Sequence, residues 1–305
     1  MTSQGPQPET REPPGPLEVF RNTLADLMDT PAHMLVGLRF SEDAARQLTG
    51  DQWVVELFQN ARDALVKRGK AGARVRVVIA EDAVLVANDG ARFDRAGYEA
   101  VTGIARSGKG DRKPGGGAGP LVPGAARMMG RHGIGFKSVL QATDRPQIFA
   151  NTPGGERFAI EAGSPRVPAL CAALAGGDEA ACLAQLGPEE QAVFREELTA
   201  PLTLEHRSLV RHLGRRGVGL EELLARLPAL PFPLWVDRTP AAVASLLGWD
   251  TANAGDPFDT VVRVPLRSSD ADRVRAHLRS ELQPARRVFL GIHVKIEIED
   301  KQAQT

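Results

Sequence analysis

A chain of 305 residues with 42% apolar and 25% charged side chains can bury a sizeable core, as one large domain or about two ordinary ones. Its 38 Lys and Arg balance its 38 Asp and Glu, so no global basic field draws it to nucleic acid or to a membrane surface. No apolar run approaches the ~20 residues of a membrane-spanning helix, and Cys171 and Cys182, with no second pair to complete a zinc site, read as reduced thiols of a cytoplasmic protein.

The polar, Pro-rich start, residues 1–16, is the reverse of a secretory signal and is expected to be a disordered tail. Order is expected from Leu17, where Leu17, Phe20, Leu24, Leu27 and Met28 share one helical face. Ser41, followed by two acids, reads as the cap of a short helix. The next helix, Gln52–Gly69, buries Trp53, Val54, Leu57, Phe58, Ala61 and Leu65 on one side. Glycines 69 and 72 break it, and Ala73–Ala80 and Ala83–Asp89 follow as a hairpin that must pack on the helix. Asp94 caps a further helical pattern. The glycine-rich run that follows has little to bury and reads as a mobile lid at about 107–133. Helical pattern resumes at Phe136, and PQIFAN and ERFAIEA read as strands. Between about 163 and 256 lie Ala-, Leu- and Arg-rich helical segments separated by Gly and Pro, the pattern of a helical insertion, which leads into a short strand, LWV. Asp259–Leu266 alternates as a strand, DADRVRAHLRSEL as a helix, and VFLGIHVKIEIE as two closing strands.

Three stretches carry chemistry. On the central helix Glu56, Asn60, Asp63 and Lys67 stand four, three and four residues apart, so they line one stripe. A carboxylate and an amide one turn apart are oxygen ligands of the kind Mg²⁺ accepts, and the carboxylate could also activate a water; the plainer alternative is a solvated face with an Asp63–Lys67 pair. Asp89 ends an apolar strand before Gly90, either as a turn former or as a carboxylate able to accept from an exocyclic amine. Gly130, Gly133 and Gly135 precede a helical pattern whose free N–H groups favour a phosphate.

In this order and spacing, ELFQNARDAL, VANDGARF, GYEAVTGIARSGKG and GRHGIGFKSVLQATD resemble the nucleotide-binding domain of the GHKL (Bergerat-fold) ATPases, most of all the heat-shock-chaperone and sacsin-like branches. DTVVRVPLR resembles that domain's late strand with its threonine beside the base. The resemblance spans roughly 17–151 and 258–299. It implies an α+β fold over 17–305, a two-layer α/β sandwich with a mixed, mostly antiparallel sheet and helices on one face. It also implies bound ATP and Mg²⁺. Glu56 would be the general base and Asn60 the Mg²⁺ ligand, with Asp63 lining the site. Asp89, with Gly90 and Thr260 beside it, would receive the adenine amine. Gly133, Ile134, Gly135 and Phe136 would meet the phosphates, with Lys137, Ser107 and Lys109 adding polar contacts.

The first glycine box departs from the family's Asp-x-Gly-x-Gly, reading Asp89-Gly90-Ala91-Arg92-Phe93. No middle domain is expected after Thr305, so a basic residue from the insertion or from a partner would have to reach the γ-phosphate. Gly103–Gly110 nearly spells a P-loop, but Gly110 replaces the metal-binding hydroxyl and no strand precedes it. His132 reads as a lid or helix-start residue rather than a phosphoacceptor, and the Arg-rich run at 207–216 as a solvated helical face rather than a nucleic-acid contact. The expected function is Mg²⁺-dependent ATP binding with slow hydrolysis, driving lid closure and a change in a client or partner protein, with ATP-dependent homodimers as in many relatives. The alternative is a non-hydrolysing ATP sensor or an interaction module on the same scaffold.

Overall fold

The computed structural model describes residues 11–30, 32–47, 52–69, 72–102, 135–176, 179–197, 227–250, 256–268, 271–276, 278 and 294–300. Seven strands, β1 (Ala73–Ile79), β2 (Ala83–Asn88), β3 (Gln147–Asn151), β4 (Arg157–Glu161), β5 (Leu234–Trp235), β6 (Thr260–Pro265) and β7 (Val294–Asp300), form one sheet in the order β5-β4-β3-β6-β2-β1-β7. β7 runs parallel to β1, and every other neighbouring pair is antiparallel. The chain is therefore α+β with a mixed sheet.

Side chains alternate across each strand. On one face Val75, Val77, Val84, Val86 and Val264 pack beneath α3 (Gln52–Arg68), whose Trp53, Leu57, Phe58 and Ala61 are the buried stripe read from its periodicity. Farther along that face Ile148, Ala150, Phe158 and Ile160 are covered by Val19 of α1 (Pro16–Asp29) and Tyr98 of α4 (Arg95–Thr102). Asp94 caps α4, its Oδ1 accepting from the Gly97 N–H at 2.9 Å. The reverse face is not bare, contrary to the one-sided sandwich expected. Val78, Leu85, Ala87 and Val261 pack there against Val243 and Leu247, at and just after a short helix, Ala241–Leu246. No helix among the described residues is long and apolar enough to cross a membrane.

Three local expectations are corrected. Residues 11–16 are not loose: Pro13 and Pro14 are buried, and the Glu12 carboxylate accepts from the Gly154 N–H in the β3–β4 turn. Ser41 caps nothing, because α2 runs unbroken over Ala32–Gln47; its hydroxyl instead accepts from Lys137 Nζ at 3.2 Å. The stretch after the glycines, Gly135–Gln141, is a 3₁₀ helix rather than an α-helix. The start of the insertion forms a helical lobe of α5 (Arg166–Gly176), α6 (Glu179–Ala184) and α7 (Pro188–Glu197). It buries Leu170, Cys171, Cys182 and Phe194 against Phe20, Leu24 and Leu27 of α1. Both cysteines are buried and neither is in a disulfide, and burial pushes the Cys171 thiol pKa up to about 12. The loop after residue 226 is held to α2 by Glu42, which is 1% exposed and accepts from the N–H groups of Ala229 and Leu230 at 2.8 and 2.9 Å.

The turn after β2 joins the sheet closely to α3. Ala91 N–H donates to the Ala64 carbonyl of α3 at 2.8 Å. A Cβ on Gly90 would stand 2.7 Å from both the carbonyl carbon and the Cβ of Ala64, and 2.8 Å from Asn88 Oδ1. Gly90→Ala is therefore expected to push α3 off the turn and cost about 1–3 kcal/mol, the usual range for overpacking. Urea unfolding reads the loss as a lower midpoint; a midpoint equal to the parent's would mean the join is loose.

Candidate functional site

The stripe Glu56, Asn60, Asp63 lies along the rim of α3, beside its buried face. Glu56 is half-buried and makes no hydrogen bond or ion pair among the described residues, and burial alone raises its carboxyl above the ordinary glutamate range. Asn60 is exposed. Asp63 is half-buried and pairs with Arg62 Nη1 at 3.4 Å. The sequence-based alternative of an Asp63–Lys67 pair does not form: Lys67 Nζ reaches Asp94 Oδ2 at 2.8 Å, tying the end of α3 to the cap of α4.

Asp89 stands elsewhere. It is 0% exposed and follows the end of β2 opposite Arg74, its N–H donating to the Arg74 carbonyl at 3.2 Å. Its Oδ1 accepts from the Arg74 backbone N–H at 2.6 Å, and its Oδ2 from Arg74 Nε at 3.2 Å. Arg74 lies over the Phe258 ring of the reverse-face cluster, 4.7 Å from its centroid. A neighbouring charge group closes this end of the sheet: Asp259 is flanked by Arg68 and Arg92, and Arg68 Nη1 also donates to the carbonyls of Asp89 and Gly90. Both carboxylate oxygens of Asp89 are thus engaged by Arg74.

The residue that alternation sends toward α3 is Asn88. It follows Val84 and Val86 on the helix-covered face, is 6% exposed, and accepts from the Gly90 N–H at 3.1 Å through Oδ1. Thr260, 9% exposed, is its direct partner across the β2–β6 ladder, so the two side chains share that face. Thr260 therefore stands across from Asn88 rather than Asp89. Gly90 abuts Ala64 of α3, and Asn60 is one turn before Ala64. Glu56 lies a further turn back, about 12 Å along the helix axis from Ala64 at 1.5 Å per residue. A polar pair on the sheet, an amide and a desolvated carboxylate therefore follow one another along a line.

At the far end the 3₁₀ helix packs on α3 through Val139 and Ala142, with Phe136 half-buried against the same cluster. Gly135 opens that helix, and Lys137 is committed to Ser41 of α2. Ser107, Lys109, Gly133 and Ile134, with the whole of the expected lid, lie outside the described residues. No group of three or more His, Cys, Asp or Glu side chains among the described residues could hold a metal as an all-protein cage. Asn60 offers one exposed amide oxygen, and Mg²⁺ is commonly held by one or two protein oxygens together with waters.

Neither a protein-family model nor a curated protein matches this sequence.

Proposed function

We propose that the chain binds Mg²⁺-ATP between α3 and the sheet and hydrolyses it slowly. One observation carries the proposal: a half-buried carboxylate with no partner among the described residues, Glu56, sits in line with Asn60 and with the Asn88–Thr260 pair on the helix-covered face. The base would lie at the Asn88–Thr260 end, where a carboxamide and a hydroxyl can both donate and accept. This replaces Asp89, whose oxygens belong to Arg74. Asn60 would hold the Mg²⁺, which supplies charge neutralisation to the phosphates. Glu56 would accept the proton of the attacking water, its raised pKa matching a base that works nearer neutrality. Gly135 and Phe136 would border the phosphates. The fold and the ordered motifs support the GHKL reading. Hydrolysis, a client and homodimers belong to the same proposal.

The commitment of Lys137 to Ser41 favours a second reading, because it removes one cation from the phosphate side and leaves a sensor that binds without turnover. Calorimetry with ATP and Mg²⁺ tests the shared step. The parent is expected to bind one equivalent, and Asn88→Ala to bind about tenfold more weakly, the equivalent of one hydrogen-bonded contact of about 1.4 kcal/mol. Absence of heat with the parent protein would remove both readings and leave an interaction module.

A further inference from the structure

Away from α3, a cavity of about 240 Å³ opens between α2, the first turn of α5 and the loop at 227–232. Val167, Leu227 and Phe232 give it apolar walls, and Arg39, Arg46 and Ser164 are its polar lining. The acids nearby are already engaged. Asp144, which also borders the cavity, is gripped by Arg267, Nε to Oδ2 at 2.8 Å and Nη2 to Oδ1 at 2.9 Å, and that guanidinium holds its carboxyl below the ordinary aspartate range. Asp43 is taken by Arg39 Nε at 2.9 Å, and Glu42 by the backbone N–H groups of the loop.

Arg46 is left with what remains. Its Nη2 stands 3.3 Å from Asp144 and its Nη1 3.8 Å from Asp43, and its buried Nε has no acceptor among the described residues. An arginine fork is built for two short parallel bonds to one anion, and none of the acids here supplies them. Ser164, Val167 and Pro168 place the start of α5 on the same cavity, its first N–H groups already satisfied by Ser164: Arg166 N–H donates to Ser164 Oγ at 3.4 Å and Val167 N–H to the Ser164 carbonyl at 3.0 Å. Apolar walls beside a guanidinium whose ion pairs to Asp144 and Asp43 are single and long describe a binding site better than a solvated cleft.

We infer that this cavity is a second small-molecule site, for a small organic monoanion that sets a carboxylate on Arg46 and an apolar body against Val167, Leu227 and Phe232. The site touches α2 on the side opposite Ser41 and Ala45, which accept from Lys137 and Gln141 of the 3₁₀ helix, so its occupant bears on an element bonded to the proposed nucleotide site. The inference needs no nucleotide and stands or falls apart from the ATP reading.

Benzoate is a suitable probe, followed by amide chemical shifts of the full chain in chloride buffer without nucleotide. The expected result is saturable one-to-one binding, with the largest shifts at Arg46, Ser164 and Val167. Benzyl alcohol, which keeps the ring without the charge, and inorganic phosphate, which keeps a charge without the ring, should each bind at least about tenfold more weakly. Arg46→Gln should weaken benzoate by a similar factor. Arg46→Lys, which keeps the charge but not the fork, should fall between and serves if the glutamine variant does not fold. Three outcomes each overturn the inference: no saturable binding, benzoate affinity unchanged in both variants, or phosphate binding as well as benzoate.

Discussion

Asp89→Ala is expected to destabilise the fold by about 3–5 kcal/mol, the range for stripping one member from a buried ion pair. The carboxylate is wholly enclosed, and its removal strands two donors at once, the Arg74 backbone N–H and the Arg74 guanidinium. Arg74 keeps partial relief through Nη2 donating to the Asp256 carbonyl at 3.0 Å and through its position over Phe258, which places the effect toward the lower end. Chemical denaturation of the single variant should show a lower midpoint with an unchanged slope. Pairing Asp89→Ala with Arg74→Met removes the stranded charge along with its partner and should recover a good part of the loss, as a double-mutant cycle would record. The result also decides between neighbours. A variant that keeps its stability but loses ATP would return residue 89 to the base site and displace Asn88.

Glu56→Gln should separate binding from chemistry. If Glu56 takes the proton of the attacking water, the amide should lower kcat by about 10²–10⁴-fold, while ATP affinity stays within about twofold of the parent. The pH profile carries the sharper signature. A general base works only when deprotonated, so activity should fall as the solution is acidified through the Glu56 pKa. Because burial raises that pKa, the acid limb should lie above the pH at which an ordinary glutamate titrates. The limb should vanish in Glu56→Gln. Parental turnover in the variant would end the general-base role and leave the sensor reading.

Much of the fold was legible because it follows local rules. The apolar stripe of α3, the bounds of α1 and the Asp94 cap each depend on periodicity or on one side chain meeting one turn. What escaped was set by partners distant in sequence. Ser41 has the residue type of a cap, but the ammonium of Lys137, nearly a hundred residues on, takes its hydroxyl and the helix runs through it. The helix on the reverse face is too short to announce which side of the sheet it covers. At the candidate site, the α3 stripe and Thr260 could be read as residue types with a spacing. That Arg74 engages Asp89 and that Asn88 stands across from Thr260 could not, because each depends on a neighbouring strand.

The place of β6 has a consequence for how the chain comes off the ribosome. The β1–β2 and β3–β4 hairpins are local and can close as soon as they emerge, yet β2 and β3 touch only through β6, which is synthesised after the helical lobe. Until residues 260–265 arrive, the nascent polypeptide carries two half-sheets, each presenting a raw border of unpaired backbone groups inviting the wrong neighbour. One late strand welds them, and a polypeptide stalled before it would be a candidate for aggregation rather than a smaller folded protein.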